Sequence, residues 1–399
     1  MKTNIQNIPS KWKQVSLEQC VEIDRESLSE HTSPNLEFFY IDLSSVTSNK
    51  IKIPTEKLTF KNAPSRARRI IHKKDILFAT VRPYLQGFAL IDFEASNYIA
   101  STGFAVLTEK KDYDIRYVYQ YLFFEHFQKQ IQTLLLGSSF PALNNKDIKH
   151  LRLLIPHNIY EQRKIVEVLE TWDKAIGLTK RLIEQKELQK KYLMQQLLTG
   201  STRLKGFTCE WKLLPLSEIL KERKEYQAKN QNLPHLSLTK EGVLPKTDRY
   251  NRDFLVKDED KLYKITHEND ICYNPANLKF GVICRNQYGS GIFSPIYVTY
   301  EVTKYSSGFV GYLLTLPSSI AQARRFEEGT VYERMAVSSE DFLKVKLPFP
   351  TYEEESTQIS IVIRKAEEEI NLLKQKLARL EEQKKGLMQI LLTGKVRLV

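Results

Sequence analysis

Apolar residues recur at alternating spacings of four and three positions along two stretches of the chain, residues 156–200 and 350–399. The first stripe consists of Ile165, Leu169, Trp172, Ile176, Ile183, Leu193 and Leu197, and the second of Ile359, Ile363, Ile370, Leu373, Leu377, Leu380, Leu387 and Leu391. We call these positions the helix seam. A heptad stripe needs a partner, so we predict two long helices that pair antiparallel as an intramolecular coiled coil. The alternative is two long helices that each pack on their own domain.

Start and stop signals bound both stretches. Residues 158–161 and 351–354 resemble capping boxes, in which a polar residue is followed three positions later by Glu. Gly200 and Gly394 follow the last apolar positions, where a left-handed residue ends a helix. Each helix should therefore span about 38 residues, or roughly 57 Å.

The two stretches are copies of one another. Residues 193–200 and 387–394 are identical at seven of eight positions, at an offset of 194 residues. The same offset relates Glu161 to Glu355 and Arg203 to Arg397, whereas Trp12 and Trp211 lie 199 residues apart. The chain therefore repeats a unit made of a variable module followed by a more constant helical tail, which predicts a pseudo-twofold arrangement.

Short strand-like runs separated by turns fill the modules, as in residues 38–43, 75–81 and 104–107. One further helix per module is predicted, over 115–136 and 309–326. The fold class is therefore α+β, with two α/β modules separated by two long antiparallel helices. The predicted domains are a first module at 1–155, a helical spacer at 156–200, a second module at 201–349 and a second spacer at 350–399.

Basic and polar residues concentrate in the turns between these strands. Arginine and asparagine suit bidentate contacts to base edges, lysine and serine suit phosphates, and tyrosine can stack on a base. Each could instead be a solvated surface residue. The candidate DNA-binding residues are Lys61, Arg66, Arg68, Arg69, Arg82, Tyr84, Ser138, Ser139, Asn144, Lys146, Arg249, Asn251, Arg252, Asn274, Asn277, Lys279, Tyr332 and Arg334.

The composition bears on the binding partner and the cellular compartment of the protein. Lys and Arg number 60 against 48 Asp and Glu, a formal charge of +12, which suits a nucleic-acid partner and equally a lysine-rich surface. No apolar run reaches the roughly 18 residues of a membrane span, and the N-terminus does not read as a secretory signal. Four cysteines without a C-x-x-C pair favour a reducing cytoplasm and argue against a zinc site.

No motif for catalysis stands out. The sequence contains no P-loop and no G-x-G-x-x-G segment. The segment 274–277 approaches the Asn/Asp-Pro-Pro-aromatic motif of adenine methyltransferases but lacks its second proline and its aromatic residue. We therefore expect a protein that is not an enzyme and that binds no cofactor or metal itself.

Several segments resemble one known family, the specificity subunits of type I restriction–modification systems. Residues 64–69 and 75–84 look like the first module of these subunits, and residues 140–144 resemble the passage into the helical tail. The Leu-Leu-Thr-Gly ending of both tails is similar to the ends of the family's helical repeats. Three features depart from the pattern. Lys74 stands where the family usually has glycine, which implies a different turn. Ser356 stands in the second tail where the first tail has Gln162, and the second module lacks the arginine-rich segment.

The resemblance implies a mechanism. Each module would recognise one half of a gapped, bipartite target in double-stranded DNA, and the paired helices would set the gap. Two modification (methyltransferase) subunits, which carry S-adenosylmethionine, would dock on the helices and methylate DNA, and restriction subunits would cleave unmethylated phage DNA in the prokaryotic cytoplasm. The alternatives are a coiled-coil scaffold that does not read DNA and a self-contained methyltransferase or nuclease. The target sequence and the gap length cannot be deduced from one chain.

Overall fold

A computed structural model describes residues 8–47, 50–135, 141–228, 233–246, 262–328 and 335–398. The chain divides into two compact units. Unit 1 comprises Met1–Thr179 and Lys376–Val399, and unit 2 comprises Lys180–Gln375. Each unit thus combines one module with part of both long helices, whereas the domain boundaries predicted from the sequence followed chain order.

Unit 1 contains a module built of short strands. Its strands are β1 (Trp12–Ser16), β2 (Val21–Ile23), β3 (Glu37–Ile41), β4 (Val46–Thr47), β5 (Lys50–Ile51), β6 (Lys57–Thr59), β7 (Ala67–Ile70), β8 (Ile76–Ala79), β9 (Phe88–Leu90), β10 (Tyr98–Ser101), β11 (Phe104–Glu109) and β12 (Arg152–Pro156). They form sheets in the orders β6-β3-β10-β7 and β2-β11-β8-β9, and the pairs β1-β12 and β4-β5. The predicted strands at 38–43, 75–81 and 104–107 correspond to β3, β8 and β11.

Helices cover these sheets. They are α1 (Leu17–Cys20), α2 (Ile115–Leu122), α3 (Glu125–Leu135) and α4 (Asn145–His150). The single helix predicted over 115–136 was wrong, because the chain breaks at Phe123 and Phe124 between α2 and α3. Buried side chains from α2, α3 and β11 form one core with β1 and the start of the first long helix, α5 (Ile159–Leu197).

Unit 2 repeats this plan. Its strands are β13 (Lys212–Pro215), β14 (Leu220–Glu222), β15 (Tyr226–Ala228), β16 (Leu236–Thr239), β17 (Gly242–Pro245), β18 (Leu262–Thr266), β19 (Ile271–Tyr273), β20 (Ile283–Arg285), β21 (Gly291–Phe293), β22 (Val298–Val302) and β23 (Lys346–Phe349). Its helices are α6 (Ser307–Leu314), α7 (Pro317–Ala323), α8 (Ser339–Lys344) and the second long helix, α9 (Glu353–Leu391). The sheet β14-β22-β19-β20 has the same order as β2-β11-β8-β9 in unit 1.

The helix predicted over 309–326 is also two helices. Pro317 occupies the first turn of α7, and the preceding Leu316 has an extended backbone at the N-cap. A proline favours an extended conformation in the residue before it, which ends a helix there. The positions of α6 and α7 in unit 2 match those of α2 and α3 in unit 1.

The long helices α5 and α9 pack together antiparallel, and the predicted coiled coil is confirmed. In unit 2, Lys186 pairs with Glu369 at 2.8 Å and Lys190 pairs with Glu367 at 2.6 Å, so residue numbers rise on one helix as they fall on the other. Every residue of the helix seam is buried or half-buried, while most positions outside the seam are exposed. Lys186 and Lys190 stand at heptad positions of the first stripe, where an apolar residue is expected. Because each pairs with a glutamate on the facing helix, they favour one register between the two helices.

The ion pairs repeat with the sequence offset. Lys384 Nζ lies 2.6 Å from Asp173 in unit 1, and these residues are the counterparts of Lys190 and Glu367. Gln120 donates to Asp173 in unit 1, just as the hydroxyl of Tyr312 donates to Glu367 in unit 2. The duplication seen in the sequence is thus a duplication of packing contacts.

The residues that follow each long helix close a unit. In unit 1, Arg397 donates through Nε and Nη2 to both carboxylate oxygens of Glu161, whose side chain is only 3% exposed. The guanidinium also lies 5.9 Å from the ring of Trp12. Gly394 has φ 68°, and a Cβ there would lie 2.9 Å from the Trp12 ring. We call these four residues the clasp of unit 1.

Unit 2 has an equivalent clasp. Arg203 donates to both oxygens of the fully buried Glu355, at 2.7 Å each, and lies 5.6 Å from the ring of Trp211. Gly200 has φ 71°, and a Cβ there would lie 3.0 Å from Trp211. The prediction that Gly200 and Gly394 are left-handed is therefore confirmed, and the close tryptophan is a second reason for glycine at both positions.

The predicted capping boxes were wrong in part. Asn158 does cap α5, accepting a hydrogen bond from the Tyr160 amide at 2.9 Å, but the carboxylate of Glu161 binds Arg397 instead. Thr351 is not a cap, because α9 begins at Glu353 and the Thr351 hydroxyl donates to the Glu210 carbonyl. The clasp of unit 1 uses Glu161, which the pattern had assigned to capping, whereas the clasp of unit 2 uses Glu355, the residue after the predicted capping residue Glu354.

Ser356 has the same structural role as its counterpart Gln162: each accepts a hydrogen bond from the backbone at the start of a helix. The Gln162 amide oxygen accepts from the backbone of Asp114 at the start of α2, at 2.9 Å. The Ser356 hydroxyl accepts from the backbone of Ser306 at the start of α6, at 3.1 Å. Different side chains thus satisfy the same helix terminus. In the described ranges, no helix has both the length and the apolar composition needed to cross a membrane.

Candidate nucleic-acid interface

Three neighbouring arginines of unit 1 have different surroundings. Arg66 is exposed just before β7. Arg68 is half-buried, lies 4.7 Å from the ring of Phe60 and donates to the adjacent Ala67 carbonyl. Arg69 forms an ion pair with Asp24 at 2.7 Å. Of the three, Arg66 is therefore best placed to meet an external phosphate or base.

Asp24 links this arginine segment to the start of α4. Its side chain is 6% exposed, and its backbone has φ 56°. One carboxylate oxygen accepts from the Val106 amide at 2.9 Å, while the other meets Arg69 and accepts from the Asn145 side chain at 2.8 Å. Asp24 was not among the sequence candidates, since an isolated aspartate in a turn carries no signal of this role.

The turn after β8 presents an aromatic and an aliphatic side chain. Arg82 and Gln86 both have positive φ, 50° and 55°, and enclose a short turn at Pro83–Leu85 whose proline is buried. Tyr84 is 44% exposed and Leu85 65% exposed. Non-glycine residues rarely adopt this conformation, so two in one turn indicate that its shape is imposed by its neighbours.

Backbone hydrogen bonds connect this turn to the other candidate segments. The Arg82 amide donates to the Pro141 carbonyl at 2.8 Å, which joins the turn to the segment that ends at Asn144 and Lys146. Thr80 donates to the Gly103 carbonyl, and the neighbouring Thr102 donates to the Arg66 carbonyl. Segments about 20 and 60 residues apart along the chain thus form one connected, largely exposed edge of unit 1.

The remaining candidates of unit 1 that the structure describes are exposed. Lys61, Arg82 and Lys146 are exposed. Asn144 is exposed too, but its side-chain oxygen caps α4 by accepting from the Asp147 amide at 2.9 Å. Ser138 and Ser139 lie outside the described residues.

Unit 2 places its candidates on the equivalent turn, between β19 and β20. Asn274 is buried and caps a short helical turn by accepting from the Ala276 amide at 3.1 Å. Asn277 is half-buried and Lys279 is exposed. Phe280, which the sequence reasoning missed, is 55% exposed at the end of this turn. Arg249, Asn251, Arg252, Tyr332 and Arg334 lie outside the described residues.

One turn expectation was wrong. The presence of Lys74 in place of glycine implied a different turn before Asp75, yet Lys74 has φ 74°, the left-handed conformation that glycine adopts most easily. Asn269, its counterpart before Asp270, has φ 72°. Two hydrogen bonds stabilise the left-handed turn without glycine. The Lys74 amide donates to the Ile91 carbonyl, and the Asp75 carboxylate accepts from the His72 amide.

The described residues offer little chemistry for catalysis. Burial raises the pKa of the Cys20 and Cys284 thiols to about 12, so both are protonated and weakly nucleophilic at neutral pH. Burial also raises the pKa of Cys272 well above its usual value. Within the part of the chain that the structure describes, no group of three or more His, Cys, Asp or Glu side chains could hold a metal ion.

Comparison with known proteins relates the strand-rich module of unit 1 to a family of DNA specificity domains. Residues 9–188 match the family of type I restriction modification DNA specificity domains. This part of the chain therefore belongs to the type I restriction modification DNA specificity domain family.

Relatives are similar in sequence beyond these residues, and solved structures share the fold of nearly the whole chain. The putative type I restriction enzyme MjaX specificity subunit of Methanocaldococcus jannaschii is 24% identical, over 99% of this chain and 96% of that protein. The MjaVIII specificity subunit of the same organism is 28% identical, but the match spans 51% of this chain and 49% of that protein. The HsdS subunit of Thermoanaerobacter tengcongensis has the same fold, with a TM-score of 0.52, 20% identity and coverage of 99% and 100%. So does the S subunit of the type I system of M. genitalium, with a TM-score of 0.58, 15% identity and 98% coverage of both chains.

Proposed function

We propose that this chain recognises a gapped, bipartite sequence in double-stranded DNA, with the module of each unit reading one half. The observation that carries the proposal is the connected edge of unit 1, where Arg66, Arg82, Tyr84 and Lys146 are exposed together. Lysine and arginine would bind phosphates, and the arginines would also reach guanine edges in the major groove. Arg69 and Asn274 would hold the backbone of the reading segments, since both are engaged within the protein.

The paired helices would dock the modification subunits. Large apolar side chains outside the helix seam support this: Leu178, Leu188 and Leu372 are 59%, 67% and 65% exposed on α5 and α9. A docked subunit would bury the apolar surface that these side chains expose. The two modification subunits would supply S-adenosylmethionine and methylate an adenine in each half-site. Restriction subunits would join this complex in the prokaryotic cytoplasm.

A methylome tests the proposal. The chain is expressed with the modification subunit encoded beside it, and methyladenine is mapped by long-read sequencing. We expect a gapped motif that is present with the intact chain and absent when the chain is omitted. A stable complex that produces no motif would contradict the proposal and favour the scaffold function.

Two altered chains separate the roles of modules and helices. Replacing residues 1–150 by the module of another specificity subunit should change one half of the motif, and a change in both halves would contradict modular reading. Inserting one heptad into α5 should change the gap between the half-sites. An unchanged gap would refute the role of the helices in setting it.

A further inference from the structure

Phe280 is held outward by a turn that is anchored on both sides. The turn, Asn274–Gly281, is capped at its start by the buried Asn274 and ends at Gly281 with φ 78°. Leu278 within it is fully buried, and Val337 donates to the Pro275 carbonyl. The backbone is therefore fixed from the core, and the exposure of Phe280 does not come from a loose loop.

Two lysines from different elements meet the Phe280 ring. Lys279 Nζ lies 5.2 Å from the ring centroid, and Lys240 Nζ lies 5.9 Å from it. Lys240 belongs to the hairpin turn between β16 and β17, where the amide of the next residue, Glu241, donates to the Thr239 hydroxyl at 3.1 Å. Two ammonium groups at one ring repel each other, and an anion between them would relieve that repulsion.

An exposed aromatic face beside two cations matches the chemistry of a nucleotide. Bases stack on aromatic rings, and lysine ammonium groups bind phosphates. A single exposed phenylalanine is common on protein surfaces and indicates no function. Two lysines from separate elements that approach the same ring are less common, and they indicate a binding site. The equivalent turn of unit 1 also presents exposed apolar side chains, Tyr84 and Leu85, after the equivalent strand β8.

We propose that Phe280, with Lys240 and Lys279, forms a nucleotide-binding site on which unit 2 stacks one base of its half-site. The site rests on the proposed DNA-reading function and adds a stacking contact to it. Phe280 distorts the duplex locally, and the two lysines bind the flanking phosphates. Unit 2 thereby compensates for its lack of the arginine-rich segment of unit 1.

The test uses the full chain in complex with its modification subunits and a duplex carrying the motif found in the methylome. Phe280→Ala should weaken binding about ten-fold, whereas Phe280→Tyr, which retains the ring, should bind like the unaltered chain. Lys240→Gln and Lys279→Gln should each reduce the slope of log affinity against log salt by about one. Leu213→Ala is the matched control, since Leu213 is a comparably exposed apolar residue on β13 in a different sheet of unit 2.

A second readout reports the base itself. 2-Aminopurine is placed in turn at each purine of the second half-site other than the methylated adenine, and its fluorescence should rise at one position when the base leaves the stack. That rise should vanish with Phe280→Ala and return with Phe280→Tyr. Unchanged affinity and fluorescence in Phe280→Ala, or an equal loss in Leu213→Ala, would overturn the stacking site while leaving DNA reading intact. If the unaltered chain did not distinguish the motif from a scrambled duplex, the proposed function itself would fail.

Discussion

The two modules have the same framework but different exposed turns. Both pair a clasp arginine with a buried glutamate, and both place a left-handed residue before a buried aspartate. At the turn after β8, unit 1 presents Tyr84 and Leu85 beside an exposed arginine, whereas the matching turn of unit 2 presents Phe280 close to Lys240 and Lys279. The two copies therefore share the buried contacts, in which each side chain has one specific partner. They differ in the exposed turns, where a side chain has no fixed partner within the protein.

The buried aspartates show a second difference, inside the framework. Asp270 in unit 2 receives a bidentate ion pair from Arg223, at 2.9 and 3.0 Å. Its counterpart Asp75 in unit 1 accepts from the His72 amide and the Thr108 hydroxyl. Burial raises the pKa of Asp75 above its ordinary value. The two equivalent carboxylates are therefore stabilised differently: a guanidinium group binds Asp270, whereas an amide and a hydroxyl donate to Asp75.

The largest effect should come from breaking a clasp. Arg397→Ala leaves Glu161 buried without its bidentate partner and should lower the free energy of unfolding by about 3 kcal/mol. Amide hydrogen exchange should show the loss of protection in unit 1, and Arg203→Ala should show it in unit 2. Arg364→Ala is the control, because its pair with Glu368 is exposed and worth less than about 0.5 kcal/mol. Equal deprotection of both units by either clasp variant would contradict the comparison.

The same substitution should destabilise the chain at one aspartate and not at its counterpart. Asp270→Asn removes the charge that Arg223 meets and should destabilise the chain by about 2 kcal/mol. Asp75→Asn should be neutral or stabilising at neutral pH, because the amide can donate to the Thr108 hydroxyl and still accept from the His72 amide. Urea unfolding of both variants measures the difference, and a comparable loss in each would show that the two sites are equivalent.

The pH dependence of Asp75 follows from the direction of its pKa. Since its pKa is higher in the folded than in the unfolded chain, the folded state binds this proton more tightly. This contribution to stability is fully present below the unfolded pKa, about 3.9, and is lost as the pH rises through the folded pKa. Asp75→Asn should remove that part of the pH profile. An identical profile with and without the carboxylate would refute this account.

A smaller effect should separate Arg66 from Arg69. Arg66→Ala should weaken DNA binding about ten-fold and reduce the salt slope by about one, with no change in the unfolding free energy. Arg69→Ala should instead lower stability, because it leaves the buried Asp24 carboxylate without its cationic partner. Binding titrations at several salt concentrations, paired with urea unfolding, distinguish the two. Loss of stability in Arg66→Ala would place that residue in the framework.

The smallest effect should come from the turn before Asp75. Lys74→Gly relieves a left-handed backbone and should raise stability by about 0.5–1 kcal/mol. Asn269→Gly should not gain stability, because asparagine tolerates this conformation and its side chain accepts from Arg285 at 3.0 Å. Thermal unfolding of the two variants provides the measurement. A stability gain from Asn269→Gly as large as that from Lys74→Gly would contradict this distinction.

The candidate site was predictable in part. Basic turns at Arg66, Arg82 and Lys146 were found from composition and position, and the structure places them along one edge. Phe280 and Lys240 were not found, because an aromatic and a lysine 40 residues apart give no local pattern. Asp24 and the clasp glutamates were missed as well, although Glu161, Glu355, Arg203 and Arg397 all repeat at the same offset and could have been paired on that ground.

The sequence by itself determined the duplication, the two long helices and their seam, because a helix repeats its faces every 3.6 residues and writes that period into the chain. It also determined the left-handed ends at Gly200 and Gly394. Only the tertiary structure decided which arginine faces outward and which meets Asp24, and that Lys240 approaches Phe280. Those outcomes depend on contacts between residues far apart in the chain, and such contacts leave no periodic trace in the sequence.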